Sequence, residues 1–257
     1  MKYIDEKKVM DIVREAGSLF GDREAADHVQ VKGAADFVTQ VDLEVQNYIQ
    51  QKLYELYPEI QFMGEEKENE EIDKNGLVWI LDPVDGTTNL IRDYKRSAVS
   101  LALFENRKPV MGIVYDPYLK EMYYAKTGEG CWLNGKQVSV SATQNLEQSL
   151  IAIGTSPYYK ELAEENFEIF KKLFQNSLDV RRSGSAAIDL AHVACGRIDC
   201  YLERNLKIWD YAAGMLLVRE AGGVVWNYEG EDATDSYMGD ILAGNRQIAT
   251  VVQREYL

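Results

Sequence analysis

The residues best suited to chemistry lie in the stretch Trp79-Ile-Leu-Asp-Pro-Val-Asp-Gly-Thr-Thr-Asn-Leu90. Two carboxylates, Asp82 and Asp85, stand three residues apart, and Gly86, Thr87 and Thr88 follow them. Carboxylates on such a turn can converge on one point and hold a hard cation. Backbone amides and hydroxyls at a helix start offer an anion site. Side by side, the two make a metal-assisted phosphate site. The same residues also suit an ordinary strand–turn–helix cap, in which each Asp satisfies only an orphan N–H.

The elements that must position these groups are readable nearby. Residues 77–81 form an apolar run of β-formers, expected as a buried strand that ends at Asp82. Pro83 keeps Asp82 out of helical geometry, and Gly86 permits a tight bend. Residues 60–63 read as a second strand ending in Gly64-Glu65-Glu66, which puts Glu65 at the same kind of strand end as Asp82. The acidic run from there to Asp73 reads as a solvated loop. Apolar positions in residues 5–20 fall at helical spacing. Thr39 with Asp42 three residues on is a capping-box pattern, and Val41, Val45, Ile49, Leu53 and Leu56 carry that helix forward. As a cap alone, Asp42 needs no further role.

Beyond the active stretch, residues 97–105, 110–116 and 121–126 predict an antiparallel meander. Gly130-Cys-Trp-Leu-Asn-Gly-Lys-Gln137 nearly matches a nucleotide-binding P-loop but has Gln where Ser or Thr should hold the metal. Its Asn134-Gly135 is a hairpin turn signal, so the segment is structural. The second half alternates: strands at 150–153, 179–181, 198–202 and 224–226, with helices at 160–174, 183–194 and 208–221 between them. Such alternation argues for an α/β layer. The expected division is a first half, 1–144, with an antiparallel sheet and N-terminal helices, and an α/β half, 145–257, in one compact catalytic unit.

The composition narrows the function. A chain of 257 residues, 46% hydrophobic and 27% charged, can bury a large core. A net charge of −14 repels nucleic acid and anionic membrane, and disfavours an anionic substrate unless bound metal inverts the local field. No apolar leader or bilayer-length run is present, so a cytoplasmic location is expected. Cys131, Cys195 and Cys200 lack metal-ligand spacing and read as buried reduced thiols. With only His28 and His192, histidine metal sites and phosphohistidine chemistry are hard to build.

The Trp79–Leu90 stretch resembles the first signature of the inositol monophosphatase family, the Mg-dependent, lithium-sensitive sugar-phosphate phosphatases. Three further segments resemble the family in order along the chain. Asp36-Phe-Val-Thr-Gln-Val-Asp42 is similar to its Asp-x-Val-Thr-x-x-Asp motif, and Gly64-Glu65-Glu66 to its Gly-Glu-Glu. Trp209-Asp-Tyr-Ala-Ala-Gly214, with Glu220-Ala-Gly-Gly223 after it, is similar to the second signature. The resemblance implies a layered αβαβα sandwich and two or three Mg2+ ions held by Glu65, Asp82, the Val84 carbonyl, Asp85 and Asp210. It implies that Thr87, backed by Asp42, and Glu65 activate water, while Gly86 and Thr87 amides cradle phosphate. Gly184, Ser185 and Ala186 would line the substrate pocket, Glu203 would grip substrate hydroxyls, and Asp210 would face the leaving-group oxygen. Lys32 is the candidate for a lysine that family members carry on a mobile loop, one residue closer to the motif than in the animal enzymes.

The expected function is Mg2+-dependent hydrolysis of inositol monophosphate, a small phosphorylated polyol, by a homodimer without nucleic-acid or membrane partners. Family members that act on bisphosphate nucleotides or histidinol phosphate tend to carry Lys after the first Thr, where this chain has Thr88. Fructose-1,6-bisphosphate is the alternative substrate, and a catalytically silent binding or regulatory protein is the alternative class. Other phosphatase chemistries fail on spacing. Aspartyl-phosphate hydrolases place their Asp pair at i and i+2, and none of the three Cys has an Arg six residues on.

Overall fold

The computed structural model describes residues 4–33, 36–69, 72–233 and 236–257. Ala34 and Ala35, beside the Asp36–Asp42 motif, and Glu70 and Glu71, in the acidic run expected as a loop, lie outside the described residues. Among the described residues eight α-helices and fourteen strands form three sheets, a mixed α/β architecture.

The chain opens with α1 (Glu6–Gly17), capped by Asp5, which accepts the Lys8 N–H at 3.1 Å, and closes that helix in a 3-10 turn at Ser18–Gly21. The short α2 (Arg23–Asp27) leads to an antiparallel pair, β1 (Val29–Gly33) and β2 (Asp36–Thr39), and then to α3 (Gln40–Leu56). β3 (Gln61–Gly64) pairs in parallel with β4 (Leu77–Asp85), and α4 (Thr87–Ile91) follows at once. From β4 the sheet runs as the expected meander through β5 (Ala98–Glu105), β6 (Lys108–Asp116), β7 (Glu121–Lys126), β8 (Gly130–Leu133) and β9 (Lys136–Val138). Asn134 and Gly135, with φ of 48° and 77°, turn the last hairpin.

The second sheet contains β10 (Leu150–Ile153), β11 (Asp179–Arg181), β12 (Cys200–Lys207), β13 (Val224–Trp226) and β14 (Met238–Gly244), in the order β11-β10-β12-β14-β13. Between these strands lie α5 (Ala163–Asn176), α6 (Ala186–Ala194) and α7 (Ile208–Glu220), and α8 (Arg246–Tyr256) closes the chain.

The layering follows from strand alternation. In β4, Trp79 and Leu81 pack with Val13, Val45 and Ile49 of α1 and α3, while Val78 and Ile80 face a core shared with α6 and α7. In β10, Ala152 joins that same central core, and Ile151 and Ile153 pack with Phe170 of α5 and Val252 of α8. Strands covered on both faces read as near-continuous apolar runs. The layers are therefore helices, sheet, helices, sheet, helices.

Four boundaries differ from the sequence reading by three residues or more. β4 does not end at Asp82 but continues through Pro83 to Asp85, because a register shift against β5 between Asp82 and Asp85 accommodates the proline. α6 starts at Ala186 rather than 183, since Gly184 has a φ of 84° and Ser185 is the cap. α5 begins at Ala163, after a 3-10 turn at Lys160–Leu162. β12 runs past Leu202 to Lys207, its pairing with β14 resuming at Leu206 after an irregularity at Arg204 and Asn205, where the Asn205 N–H donates to the Asp240 side chain. Among the described residues no helix is long and apolar enough to cross a membrane.

Candidate active site

The end of β4 and the starts of α4, α6 and α7 converge on one cleft of about 250 Å3. In a regular strand, residues three apart point to opposite faces. The bulge between Asp82 and Asp85 inserts one extra residue, opposing Asp82 to Ser100 and Asp85 to Ala98. That irregularity lets both carboxylates meet Asp210 from α7, and oxygens of all three lie within 4.8 Å of one another.

Each carboxylate is also held by the fold. Asp82 accepts the Val84 N–H at 2.9 Å, and Asp210 accepts the Lys207 N–H at 2.8 Å from the first turn of α7. Asp85 reaches the start of α6, accepting the Ala187 N–H at 2.6 Å and the Ser185 hydroxyl. The capping role and the clustered role coexist in the same side chains.

Glu65 follows β3 and lines the same cleft, outside the tight group of three. Burial, then the charge of Glu66, pushes Glu65 up to about 8. Burial also pushes Asp85 to about 6, and burial with the neighbouring carboxylates holds Asp82 and Asp210 well above the usual range. Among the described residues, none of these four forms a salt bridge with Lys, Arg or His. Lys32 and Lys207 act on Glu65 only from a distance, and buried, crowded oxygen donors without a paired cation fit a hard divalent metal, whose charge relieves the repulsion.

Thr87 stands beside this cluster. Its hydroxyl donates to Asp42 Oδ1 at 2.9 Å and lies 3.2 Å from the Val84 carbonyl oxygen. Asp42 is fully buried on α3 and also accepts the Thr39 N–H at 2.9 Å, so one carboxylate caps a helix and holds the threonine. Gly86 takes a φ of 95°, and a Cβ there would also stand 3.0 Å from the Arg96 carbonyl oxygen. Gly86, Thr87, Gly184, Ser185 and Ala186 all line the cleft.

Glu203 is no surface residue after a strand end. It is 9% exposed within β12 and lines the same cleft as the three aspartates. Lys32 lies elsewhere: it pairs with Glu66 and lines a second, polar cleft that meets the first at Glu65. Sequence reasoning missed Gly154, Tyr158, Arg182 and Asp189, which also line the first cleft. Gly154 follows β10 directly, much as Gly64 closes β3, a signal that the sequence carries. Asp189 sits inside α6 with its carboxylate accepting the Ser183 hydroxyl at 2.7 Å, and nothing local marks it. Burial pushes it up to about 8.

The model of the inositol monophosphatase family matches residues 4–255. The chain belongs to the inositol monophosphatase family. It is 38% identical over 234 residues to the Nus factor SuhB of Xylella fastidiosa, covering 88% of this chain and 84% of that one. It is 34% identical over 223 residues to the inositol-1-monophosphatase of Bacillus subtilis, covering 86% and 84%. Among solved structures, the extragenic suppressor protein suhB of Bartonella henselae superposes with a TM-score of 0.90 at 34% identity, over 98% of both chains. Inositol monophosphatases are metal dependent, and the aspartate cluster gives this member the donors for it. The family's Ala-Ala-Gly after the second-signature Asp has a packing reason here. A Cβ on Gly112 of β6 would stand 2.7 Å from the Ala213 carbonyl oxygen, so α7 lies directly on the sheet and sets the depth of Asp210.

Proposed function

We propose that this protein is a Mg2+-dependent phosphomonoesterase that hydrolyses inositol monophosphate to inositol and phosphate. The observation that carries the reading is the convergence of Asp82, Asp85 and Asp210 on a cleft that also holds the Thr87–Asp42 pair and buried Glu203. Two or three Mg2+ ions suit a donor set of hard oxygens completed by Glu65 and the Val84 carbonyl. When bound, Mg2+ neutralises phosphate charge and makes water acidic enough to attack near neutral pH. The chain's own residues do the rest. Amides of Gly86 and Thr87 hold phosphate oxygens. The Thr87 hydroxyl, oriented by Asp42, positions the water, and the Glu65 carboxylate takes its proton. Gly184, Ser185 and Ala186 line the alcohol side, Glu203 accepts from the polyol hydroxyls, and Asp210 faces the leaving oxygen. Fructose-1,6-bisphosphate is the alternative substrate on the same site.

Residues 1–144 and 145–257 act in this reading as halves of one catalytic unit, in a cytoplasmic, lithium-sensitive homodimer. The test is phosphate release from a panel of esters, with and without Mg2+ and chelator. The reading expects metal-dependent turnover that prefers inositol monophosphate; turnover that survives chelation contradicts it. A second reading follows from the relatives named Nus factor SuhB: a Nus factor role on the same scaffold. Asp85→Asn separates the two, abolishing phosphate release while leaving a Nus factor role in place.

A further inference from the structure

We infer that Tyr201 and Gly154 are positioning residues that fix the Glu203 carboxylate, and so set the preference for a leaving group rich in hydroxyls. The inference rests on the substrate reading above. Tyr201 precedes Glu203 by two residues in β12, which puts both side chains on one face of the strand. Tyr201 is fully buried, and its hydroxyl donates to Glu203 Oε2 at 2.7 Å. The Ser156 N–H donates to the other oxygen, Oε1, at 2.8 Å. Ser156 is itself pinned, its hydroxyl donating to the Arg204 carbonyl oxygen at 2.7 Å.

Gly154 supplies the space. A Cβ there would stand 1.8 Å from Glu203 Oε2 and 1.9 Å from its carboxyl carbon, so any side chain expels the carboxylate from this position. Each carboxylate oxygen accepts two hydrogen bonds. The protein uses one acceptor position on each and leaves one on each for the ligand. The result is a rigid two-oxygen acceptor, matched to neighbouring hydroxyls of a polyol and of no use to a leaving group without them. Burial opposes the charge on Glu203, and Tyr201, the Ser156 amide and Arg182 all favour it.

The test is a double-mutant cycle read by substrate preference. Values of kcat and KM are measured for inositol monophosphate and for p-nitrophenyl phosphate on the wild type, Tyr201→Phe, Glu203→Ala, the double variant and Gly154→Ala. Tyr201→Phe removes only a hydroxyl and should raise KM for inositol monophosphate about five- to tenfold, with kcat nearly held. The ratio of kcat/KM between the two substrates should fall by a similar factor. Gly154→Ala should abolish the preference with Tyr201 intact. In the Glu203→Ala background, Tyr201→Phe should cost nothing more, because the group it positions is gone. Equal losses on both substrates, an unchanged ratio, or additive losses in the double variant overturn the inference and leave Tyr201 structural. A wild type without the preference sinks the substrate reading and this inference together; a wild type with it, retained by Tyr201→Phe, sinks this inference alone.

Discussion

At the scale of single residues, Thr87 distinguishes two mechanisms. Its hydroxyl already donates to buried Asp42, so the oxygen keeps lone pairs for a water, while Asp42 does not strip the proton to make an alkoxide. Burial raises Asp42, with the Thr39 and Thr87 hydrogen bonds opposing, yet a carboxylate remains a far weaker base than an alkoxide and holds the hydroxyl without ionising it. Thr87→Ser should therefore keep activity within about tenfold, and Thr87→Ala should lose about a hundredfold or more. Steady-state kinetics check this, and a phosphothreonine trapped in a quenched reaction would contradict it. Asp82, Asp85, Thr87 and Glu65 stand out in the sequence because each sits at a strand end or turn, whereas Asp210 stands out only through its resemblance to the family's second signature. Arg182 does not, because its partner Thr155 lies on another loop; Tyr201 and Asp189 pair with the nearby Glu203 and Ser183, but no local pattern marks those residues as buried beside the cleft.

At the scale of elements, the site depends on two departures from regularity. The β4 bulge turns Asp82 and Asp85 to the same target, and the close seat of α7 on β6 fixes Asp210. Gly112→Ala tests the second. Its Cβ would meet backbone rather than a side chain that can swing away, so the helix must move. The expected cost is about 1–3 kcal/mol, read as a lower urea midpoint. Activity should fall as well, because Asp210 shifts with the helix; an unchanged midpoint would show that the contact relaxes freely. Periodicity made β5, β6, β7 and α3 legible. The bulge was hidden because Pro83 reads as a strand end, and the start of α6 because Ser183 and Ser185 both look like caps. β14 and α8 escaped notice: β14 begins in the polar Met238-Gly-Asp segment and is ordered by pairing with β12 and β13.

At the scale of the molecule, an acidic protein folds around a further concentration of buried acid. Without metal, Glu65 at about 8 and Asp85 at about 6 keep protons that the unfolded chain, near 4.5 and 3.8, has already released. The folded state then binds more protons than the unfolded one between about pH 4 and 8, so stability falls as pH rises through that window. On the proposed reading Mg2+ would replace those protons, and its stabilisation should grow with pH. Melting temperatures with and without Mg2+ should differ more at pH 8 than at pH 6; an equal shift at both would contradict the account. The five-layer sandwich was legible only through the family resemblance, since alternation gives the faces of each strand but not which helices cover them. The most direct test of the central claim couples Mg2+ binding to phosphate release in the wild type and in Asp85→Asn. The Asn side chain can still accept from Ser185 and Ala187, so the fold should survive while an anionic ligand is lost. The expected result is wild-type release of phosphate from inositol monophosphate that follows Mg2+ occupancy, with the variant folded, weak in Mg2+ binding and slower by about a hundredfold or more. Equal turnover in a folded Asp85→Asn protein, or turnover independent of Mg2+, would contradict it.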